Sequence, residues 1–146
     1  MNEQQNPTSS GGEDVESTRN FAEDILSIDT DQLSEEDQAA VAALPAGNAL
    51  LIVRRGPNKG ARFLLDADLV TVGRHPNSDV FLDDVTVSRR HAEIIRSAGE
   101  FSVKDLDSLN GTYYQGARVE SIILVNGSEL QIGKYHFTFY TSAKVK

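Results

Sequence analysis

The sequence of 146 residues contains no cysteine, which excludes disulfides, thiolate metal ligands and cysteine nucleophiles. Three histidines argue against a multi-histidine metal site. There is no Gly-x4-Gly-Lys-Ser/Thr and no Gly-x-Gly-x-x-Gly pattern, so we expect neither a metal nor a cofactor. No apolar run approaches the roughly 18 residues of a membrane helix, and the N-terminus lacks the features of a secretory signal. We therefore expect a soluble, cytoplasmic protein that does not associate with membranes.

Basic residues are nearly missing from the first third of the chain. Residues 1–46 hold eleven acidic residues and one basic residue, a net charge of −10, whereas residues 47–146 hold eleven acidic and thirteen basic residues, a net charge of +2. This asymmetry is typical of an interaction tail joined to a domain. Because the tail has few apolar residues to bury, we predict a flexible acidic regulatory tail over 1–46, disordered at 1–13, and one domain over 47–146.

Two short segments of the tail could form helices. Residues 20–26 place three apolar side chains on one helical face. Ser34 can cap a second helix whose first turn is acidic, and Pro45 and Gly47 would end it. Isolated helices of this length are marginal in water.

From residue 49 onward, short β-branched and aromatic runs alternate with turn residues. We predict strands at 49–55, 62–66, 69–73, 80–82, 92–96, 100–104, 112–114, 128–133 and 135–140. In the last run Tyr135, Phe137 and Phe139 alternate with more polar residues, which is strand periodicity. Roughly ten short strands without an intervening amphipathic helix indicate an all-β sandwich or barrel rather than a parallel βαβ sheet.

Three polar loops of this domain carry the candidate binding groups, namely 73–75, 87–91 and 107–112. They hold fixed positive charge at Arg74, Arg89 and Arg90, hydroxyls at Ser88, Ser108 and Thr112, and an amide at Asn110. Arginine forks together with short N–H and O–H donors suit a phosphate group. We take Arg90 as a surface residue more readily than as a ligand.

Two other classes of function fit less well. Ser88 and His91 lie three residues apart, which permits a nucleophile and base, but a hydrolase also needs an orienting acid within reach. Nucleic-acid binding is disfavoured by a domain charge of only +2 and by the acidic tail. We expect no enzyme activity and no nucleic-acid partner.

The order of Gly73-Arg74, then Ser88-Arg89-Arg90-His91, then Asn110-Gly111-Thr112 resembles the signature of forkhead-associated (FHA) domains. The resemblance covers about residues 49–146. It implies an all-β, FHA-type β-sandwich of about eleven strands, rich in antiparallel pairs. It also implies binding of phosphothreonine peptides without catalysis.

The resemblance implies a role for each matching residue. Arg74 should pair with the phosphate, and Ser88 should donate to a phosphate oxygen. Arg89 should contact the phosphate or the peptide backbone, and Asn110 should bond the peptide main chain. The residues expected to shape the pocket for the threonine methyl are Ser108, Leu109 and Thr112. The residues expected to be architectural are Gly73, His91 and Gly111, with His91 bracing the loop that bears Ser88.

Longer stretches, at 44–53, 55–66 and 73–93, look very like the OdhI/GarA family of small actinobacterial regulators. This resemblance implies a monomer that inhibits the 2-oxoglutarate dehydrogenase complex through its E1 component. Some members also act on glutamate dehydrogenase and glutamate synthase. A serine/threonine kinase would phosphorylate a tail threonine, and the tail would then occupy its own FHA domain and end the inhibition.

The tail offers one good match to the phosphorylated motif of that family. In Glu16-Ser17-Thr18, a serine replaces the first of two threonines, and Phe21 falls at position +3. We predict Thr18 as the phosphorylation site and Ser17 as the weaker candidate, because FHA domains prefer phosphothreonine. A linker of 31 residues to Ala49 spans about 30 Å, more than the domain radius of about 13 Å. The alternative is a generic FHA adaptor in kinase signalling that has no self-ligand.

Overall fold

The computed structural model describes residues 33–144. The candidate phosphorylation sites Ser17 and Thr18, the predicted disorder of 1–13 and the helical patch at 20–26 lie outside the described residues. The chain divides into two units after Ala40.

The described part contains one helix and eleven strands. The helix is α1 (Glu35–Ala42). The strands are β1 (Ala49–Arg55), β2 (Arg62–Leu65), β3 (Leu69–Gly73), β4 (Val80–Phe81), β5 (Ala92–Ser97), β6 (Glu100–Asp105), β7 (Thr112–Tyr114), β8 (Ala117–Val119), β9 (Ser121–Ile123), β10 (Glu129–Ile132) and β11 (Tyr135–Thr141).

The short helix begins where the sequence predicts it. The Ser34 hydroxyl accepts a hydrogen bond from the Asp37 N–H at 3.0 Å, which satisfies one of the free N–H groups of the first turn. Three acidic residues stand in that turn, where the helix dipole favours them. The helix ends three residues before Pro45. It is the only helix in residues 33–144, and it is too short and too polar to cross a membrane.

The strands form two sheets, and the prediction of a β-sandwich is confirmed. One sheet has six strands in the order β8-β7-β10-β11-β1-β2, and the other has five in the order β9-β6-β5-β3-β4. The only parallel pair among these strands joins β3 to the two-residue β4. A single hydrophobic core contains residues from both sheets. The predicted alternation in β11 is present, since Tyr135, Phe137 and Phe139 are buried in that core.

Two strands were not among the predicted runs. β8 and β9 are three residues each, and neither has a fully buried residue. Backbone pairing defines them, because Ala117 lies opposite Tyr114 and Ile122 opposite Val103. A strand that does not bury one face shows no alternation of apolar and polar residues in the sequence.

The backbone that leads into β1 is held at one end of the sandwich. Arg96 donates through Nη1 to the Gly47 carbonyl at 3.0 Å and to Asn48 Oδ1 at 3.1 Å. Its Nε pairs with Asp68 at 3.0 Å, just before β3 begins. Leu44 is buried nearby in sequence. The chain is therefore fixed at the Leu69 end of β3, whereas the polar loop 73–75 leaves from the other end.

Candidate functional site

The first candidate loop leaves β3 at Gly73 and runs beside residues 87–89. The Arg74 N–H donates to the Ser88 carbonyl at 3.0 Å, and its guanidinium Nε donates to the Val87 carbonyl at 3.1 Å. The His75 N–H donates to the Arg89 carbonyl at 3.2 Å. Fixing Nε orients the guanidinium plane of Arg74. Within residues 33–144 its two terminal nitrogens have no hydrogen-bonding partner, so both can face an anion.

Gly73 is the point of closest approach between these two loops. A Cβ built on Gly73 would lie 2.1 Å from the Arg89 carbonyl oxygen. No side chain fits there without moving backbone. The missing side chain of Gly73 lets the segments that carry Arg74 and Arg89 pair directly.

Ser88 links the second loop to the third. Its Oγ accepts a hydrogen bond from the Leu109 N–H at 3.0 Å. A hydroxyl has one donor and two acceptor positions, and this bond uses only an acceptor. Among the described residues none accepts from the Ser88 O–H, which therefore stays available as a donor.

His91 ties the same two loops together from inside the domain. It is fully buried; Nδ1 accepts from the Ser88 N–H at 3.1 Å, and Nε2 lies 2.9 Å from the Gly111 carbonyl. A carbonyl only accepts, so Nε2 carries the proton and the ring is neutral. Burial lowers the pKa of His91, against the opposing effects of Gly111 and Asp105. Both ring nitrogens are engaged by backbone groups, so His91 has no free nitrogen to deprotonate the Ser88 hydroxyl.

The buried neutral ring of His91 should make stability depend on pH. Its pKa is lower in the folded state than the unfolded value near 6.5, so the unfolded chain binds more protons below that pH. The free energy of unfolding should therefore fall as the pH drops below about 6.5, by at most about 1.4 kcal/mol per pH unit. Urea titrations at pH 7.5 and 5.5 measure this.

His91→Gln keeps one donor and one acceptor but cannot be protonated, so it is the matched variant. We expect the stability of this variant to change less than that of the wild type between the two pH values. An equal change in both proteins would show that other groups account for the pH dependence.

Asn110 is held in the third loop by a backbone group of the second. Its Nδ2 donates to the Thr86 carbonyl at 2.9 Å. The Asp84 carboxylate fixes Thr86 by accepting from its N–H at 2.9 Å and from its hydroxyl. These two bonds lower the pKa of Asp84. No described residue donates to the side-chain oxygen of Asn110, so this oxygen can accept from the main chain of a ligand.

Asp105, which was not among the candidate residues, holds the third loop together through hydrogen bonds. Its carboxylate accepts from the Ser108 N–H at 3.1 Å, from the Ser108 hydroxyl at 2.5 Å and from the Thr112 hydroxyl at 2.8 Å. Burial would raise the pKa of Asp105, but these hydrogen bonds outweigh it and lower the pKa. The signal in the sequence is an Asp three residues before Ser108, a spacing at which carboxylates often bind nearby backbone N–H groups.

Ser108 and Thr112 differ from the other predicted ligand residues in where their side chains lie. Thr112 is fully buried and Ser108 nearly so. Ser108 Oγ also accepts from the Gly111 N–H at 3.0 Å, where the backbone turns with a positive φ of 87°. Both hydroxyls therefore bind within the loop, whereas the methyl-pocket role expected of them would need a surface facing the ligand. Leu109 does face solvent, at 85% exposure.

Hydrogen bonds thus interlock the three predicted loops. Arg74 and Asn110 both donate to carbonyls of residues 86–87, and the hydroxyl of Ser88, the next residue, accepts from the third loop. Arg89 and Arg90 are exposed beside this group. The arrangement presents a guanidinium, a hydroxyl donor and an amide oxygen on rigid turns, which is suited to an anionic group attached to an extended main chain.

Comparison with known proteins agrees with the geometry. The FHA domain family model matches residues 70–133. The glycogen accumulation regulator GarA of Mycolicibacterium smegmatis is 52% identical over 89% of this chain and 84% of its own length. The oxoglutarate dehydrogenase inhibitor of Corynebacterium jeikeium is 49% identical over 89% of this chain and 91% of its own. A solved structure from a study of phosphothreonine-dependent FHA domain interactions is 26% identical, with a TM-score of 0.61, and covers 66% of this chain and 99% of its own.

The relatives extend well beyond the FHA match and span most of both chains. With half of the aligned positions identical over 133 residues, common descent is the explanation. The chain belongs to the family of small FHA-domain regulators that includes GarA and the oxoglutarate dehydrogenase inhibitors.

Proposed function

We propose that this chain is a phosphothreonine-binding regulatory protein without catalytic activity, made of a regulatory tail (1–46) and an FHA domain (47–146). Its unphosphorylated form inhibits the 2-oxoglutarate dehydrogenase complex by binding the E1 component in the cytoplasm, and it acts as a monomer. Phosphorylation of Thr18 by a serine/threonine kinase turns the tail into a ligand of its own domain and ends the inhibition. Glutamate dehydrogenase and glutamate synthase are further targets.

The observation that carries the proposal is the free hydrogen-bonding capacity at the interlocked loops. The Arg74 guanidinium is oriented by one bond through Nε, and the Ser88 hydroxyl is held by one bond that leaves its proton free. The Asn110 amide oxygen accepts no hydrogen bond from the part of the chain that the structure describes. The fold positions each group, and no residue of 33–144 occupies the remaining hydrogen-bonding positions, which a phosphate and an adjoining peptide would fill. The names of the relatives support the identity of the target.

The same contacts support a non-catalytic role. Ser88 is the only candidate nucleophile that we identified, and His91 has both nitrogens engaged by backbone groups. Nucleophilic catalysis needs a base within reach of the hydroxyl. A phosphate bound here would therefore be held and not transferred.

A switch of this kind is physically reasonable. A phosphate adds about −1.5 to −2 charges and three acceptor oxygens. Tethering of the tail gives an effective concentration near the millimolar range. A micromolar affinity for the phosphorylated site would therefore keep the tail bound to its own domain in almost every molecule. Without the phosphate, the acidic tail and a domain of charge +2 attract each other only weakly across salt.

The test compares full-length protein, phosphorylated at Thr18 or carrying Thr18→Ala, by amide NMR and by inhibition of purified 2-oxoglutarate dehydrogenase complex. Phosphorylation should shift the amide signals of Arg74, Ser88 and Asn110 independently of protein concentration and should relieve the inhibition. The Thr18→Ala protein, treated with the kinase, should inhibit as the untreated wild type does. Phosphorylation without shifts at these loops would contradict self-binding. It would favour the alternative, a generic FHA adaptor that has no self-ligand.

A further inference from the structure

Arg118 is an arginine beside the candidate site that belongs to none of the three loops. It lies in the middle of β8, an edge strand of the six-stranded sheet, where the register places it opposite Tyr113. A Cβ built on Gly111 would lie 2.7 Å from Arg118 Nε and 3.0 Å from its Cζ. The Arg118 guanidinium therefore lies against the backbone of the third loop, at the residue that follows Asn110.

The same guanidinium lines an open groove of about 440 Å³ along the third loop. The residues that line the groove are Asp105, Asp107, Ser108, Arg118, Val119 and Glu120. The Asp105 carboxylate is already occupied by the hydroxyls of Ser108 and Thr112. No carboxylate of residues 33–144 lies within ion-pair distance of Arg118, which is exposed. The guanidinium can therefore accept the carboxylate of a ligand as its partner.

The alternation of an extended peptide decides which of its side chains can face this groove. Under the proposed function, on which this inference rests, the phosphate on Thr18 faces Arg74 and Ser88. Side chains that are two residues apart on an extended chain project to the same side. Glu16 therefore faces the domain together with the phosphate, whereas Arg19 faces away from it.

Spacing and charge both favour Glu16 as the partner of Arg118. In an extended peptide, Glu16 lies about 6–7 Å from Thr18 along the chain. The Arg118 guanidinium lies against the residue next to Asn110, whose amide is proposed to hold the peptide main chain. On the other side of Thr18, the residue that faces the domain at position +2 is the uncharged Asn20. Glu16 is thus the neighbour whose charge is opposite to that of Arg118.

We infer that Arg118 is a specificity-determining residue of the phosphothreonine site and that its guanidinium pairs with the Glu16 carboxylate, two residues before the phosphothreonine. The peptide then crosses the third loop with its N-terminal part toward β8. Asp107 and Glu120 line the same groove and repel an acidic ligand, so the guanidinium is needed to admit one.

The test is a double-mutant cycle, measured by calorimetry at low salt between the full-length, unphosphorylated chain and a phosphothreonine-18 peptide of residues 13–24. Arg118→Gln should weaken the binding of the natural peptide about three- to fivefold, which is the effect of an exposed ion pair. The same variant should bind a Glu16→Gln peptide as tightly as the wild type does, which also shows that the variant is folded. The matched control is Lys59→Gln, between β1 and β2 toward the opposite edge of the sheet, which should leave both affinities unchanged.

A second variant tests the direction of the peptide. Asp107→Asn keeps the size of the side chain, and asparagine tolerates the positive φ of 58° at this position. With Glu16 in the groove, loss of this negative charge should strengthen the binding of the natural peptide by up to about twofold. Weaker binding by Asp107→Asn would place Arg19 in the groove instead and would overturn the inference.

The remaining outcomes separate this inference from the proposed function. An Arg118→Gln chain that binds the two peptides with equal losses, or with no loss, would show that Arg118 does not act through Glu16. The inference would then be wrong, while binding of the natural peptide by the wild type would still support the proposed function. A wild-type chain that does not bind the phosphothreonine-18 peptide would contradict both.

Discussion

Replacing Arg74 by alanine should weaken the binding of a phosphothreonine-18 peptide at least about 100-fold, which corresponds to about 2.7 kcal/mol. The plane of the Arg74 guanidinium is fixed through its Nε bond to the Val87 carbonyl. A phosphate near it would lose a charge-assisted, two-pronged hydrogen bond. Isothermal titration calorimetry with a peptide of residues 13–24 measures the effect.

Two further variants separate geometry from charge. Arg74→Lys keeps the charge but cannot form the fork or the Nε bond to the carbonyl, so we expect it to recover only a small part of the affinity. Lys144→Ala removes one exposed cation near the C-terminus and should leave binding within about twofold at 150 mM salt. Full affinity of Arg74→Lys would mean that the site recognises charge alone. Full affinity of Arg74→Ala would place the phosphate elsewhere.

Gly73→Ala should be among the most damaging single substitutions in the domain. The added methyl would lie 2.1 Å from the Arg89 carbonyl oxygen, a backbone atom that cannot rotate away. We expect a loss of about 3 kcal/mol in the free energy of unfolding, because the loops must separate. Separation also moves Arg74 relative to Ser88, so phosphopeptide affinity should fall with stability. Urea unfolding followed by circular dichroism, together with calorimetry of the peptide, measures both.

The matched control is Gly116→Ala in the turn between β7 and β8. That glycine has a φ of 85°, but its added methyl would meet nothing within 4 Å. The expected cost is the backbone penalty alone, about 1–2 kcal/mol, and peptide affinity should not change. Equal destabilisation by the two variants would show that the Arg89 carbonyl moves away at little cost and that its close approach does not explain the role of Gly73.

The extent to which the fold could be predicted follows from burial. Strands that bury one face, such as β11 with Tyr135, Phe137 and Phe139, alternate visibly in the sequence. β8 and β9 do not, because their residues are exposed or half-buried and only pairing defines them. The cap at Ser34 could be predicted because capping is a local interaction.

The residues of the site also divide into those that the sequence identifies and those that it does not. Arg74, Ser88 and Asn110 could be singled out because their side chains carry the chemistry of anion binding. Asp105 and Thr86 could not, since their roles depend on which backbone groups the turns bring beside them. The same cause explains the placement of the Thr112 hydroxyl, which binds Asp105 inside the loop. Residue type predicts what a side chain can bind, and the turns decide which partner it meets.

The hydrogen bonds from Arg96 to Gly47 and Asn48 have a consequence for the length that the tail needs. The backbone enters the domain at the Leu69 end of β3, and the proposed phosphate-binding groups lie beyond the Gly73 end, about 15 Å away along a five-residue strand. A phosphorylated tail must travel back over that distance before it can reach Arg74. A tail too short to span that distance could still bind the site of a second molecule. Tail length, and not only tail sequence, therefore decides whether phosphorylation closes one molecule on itself or joins two.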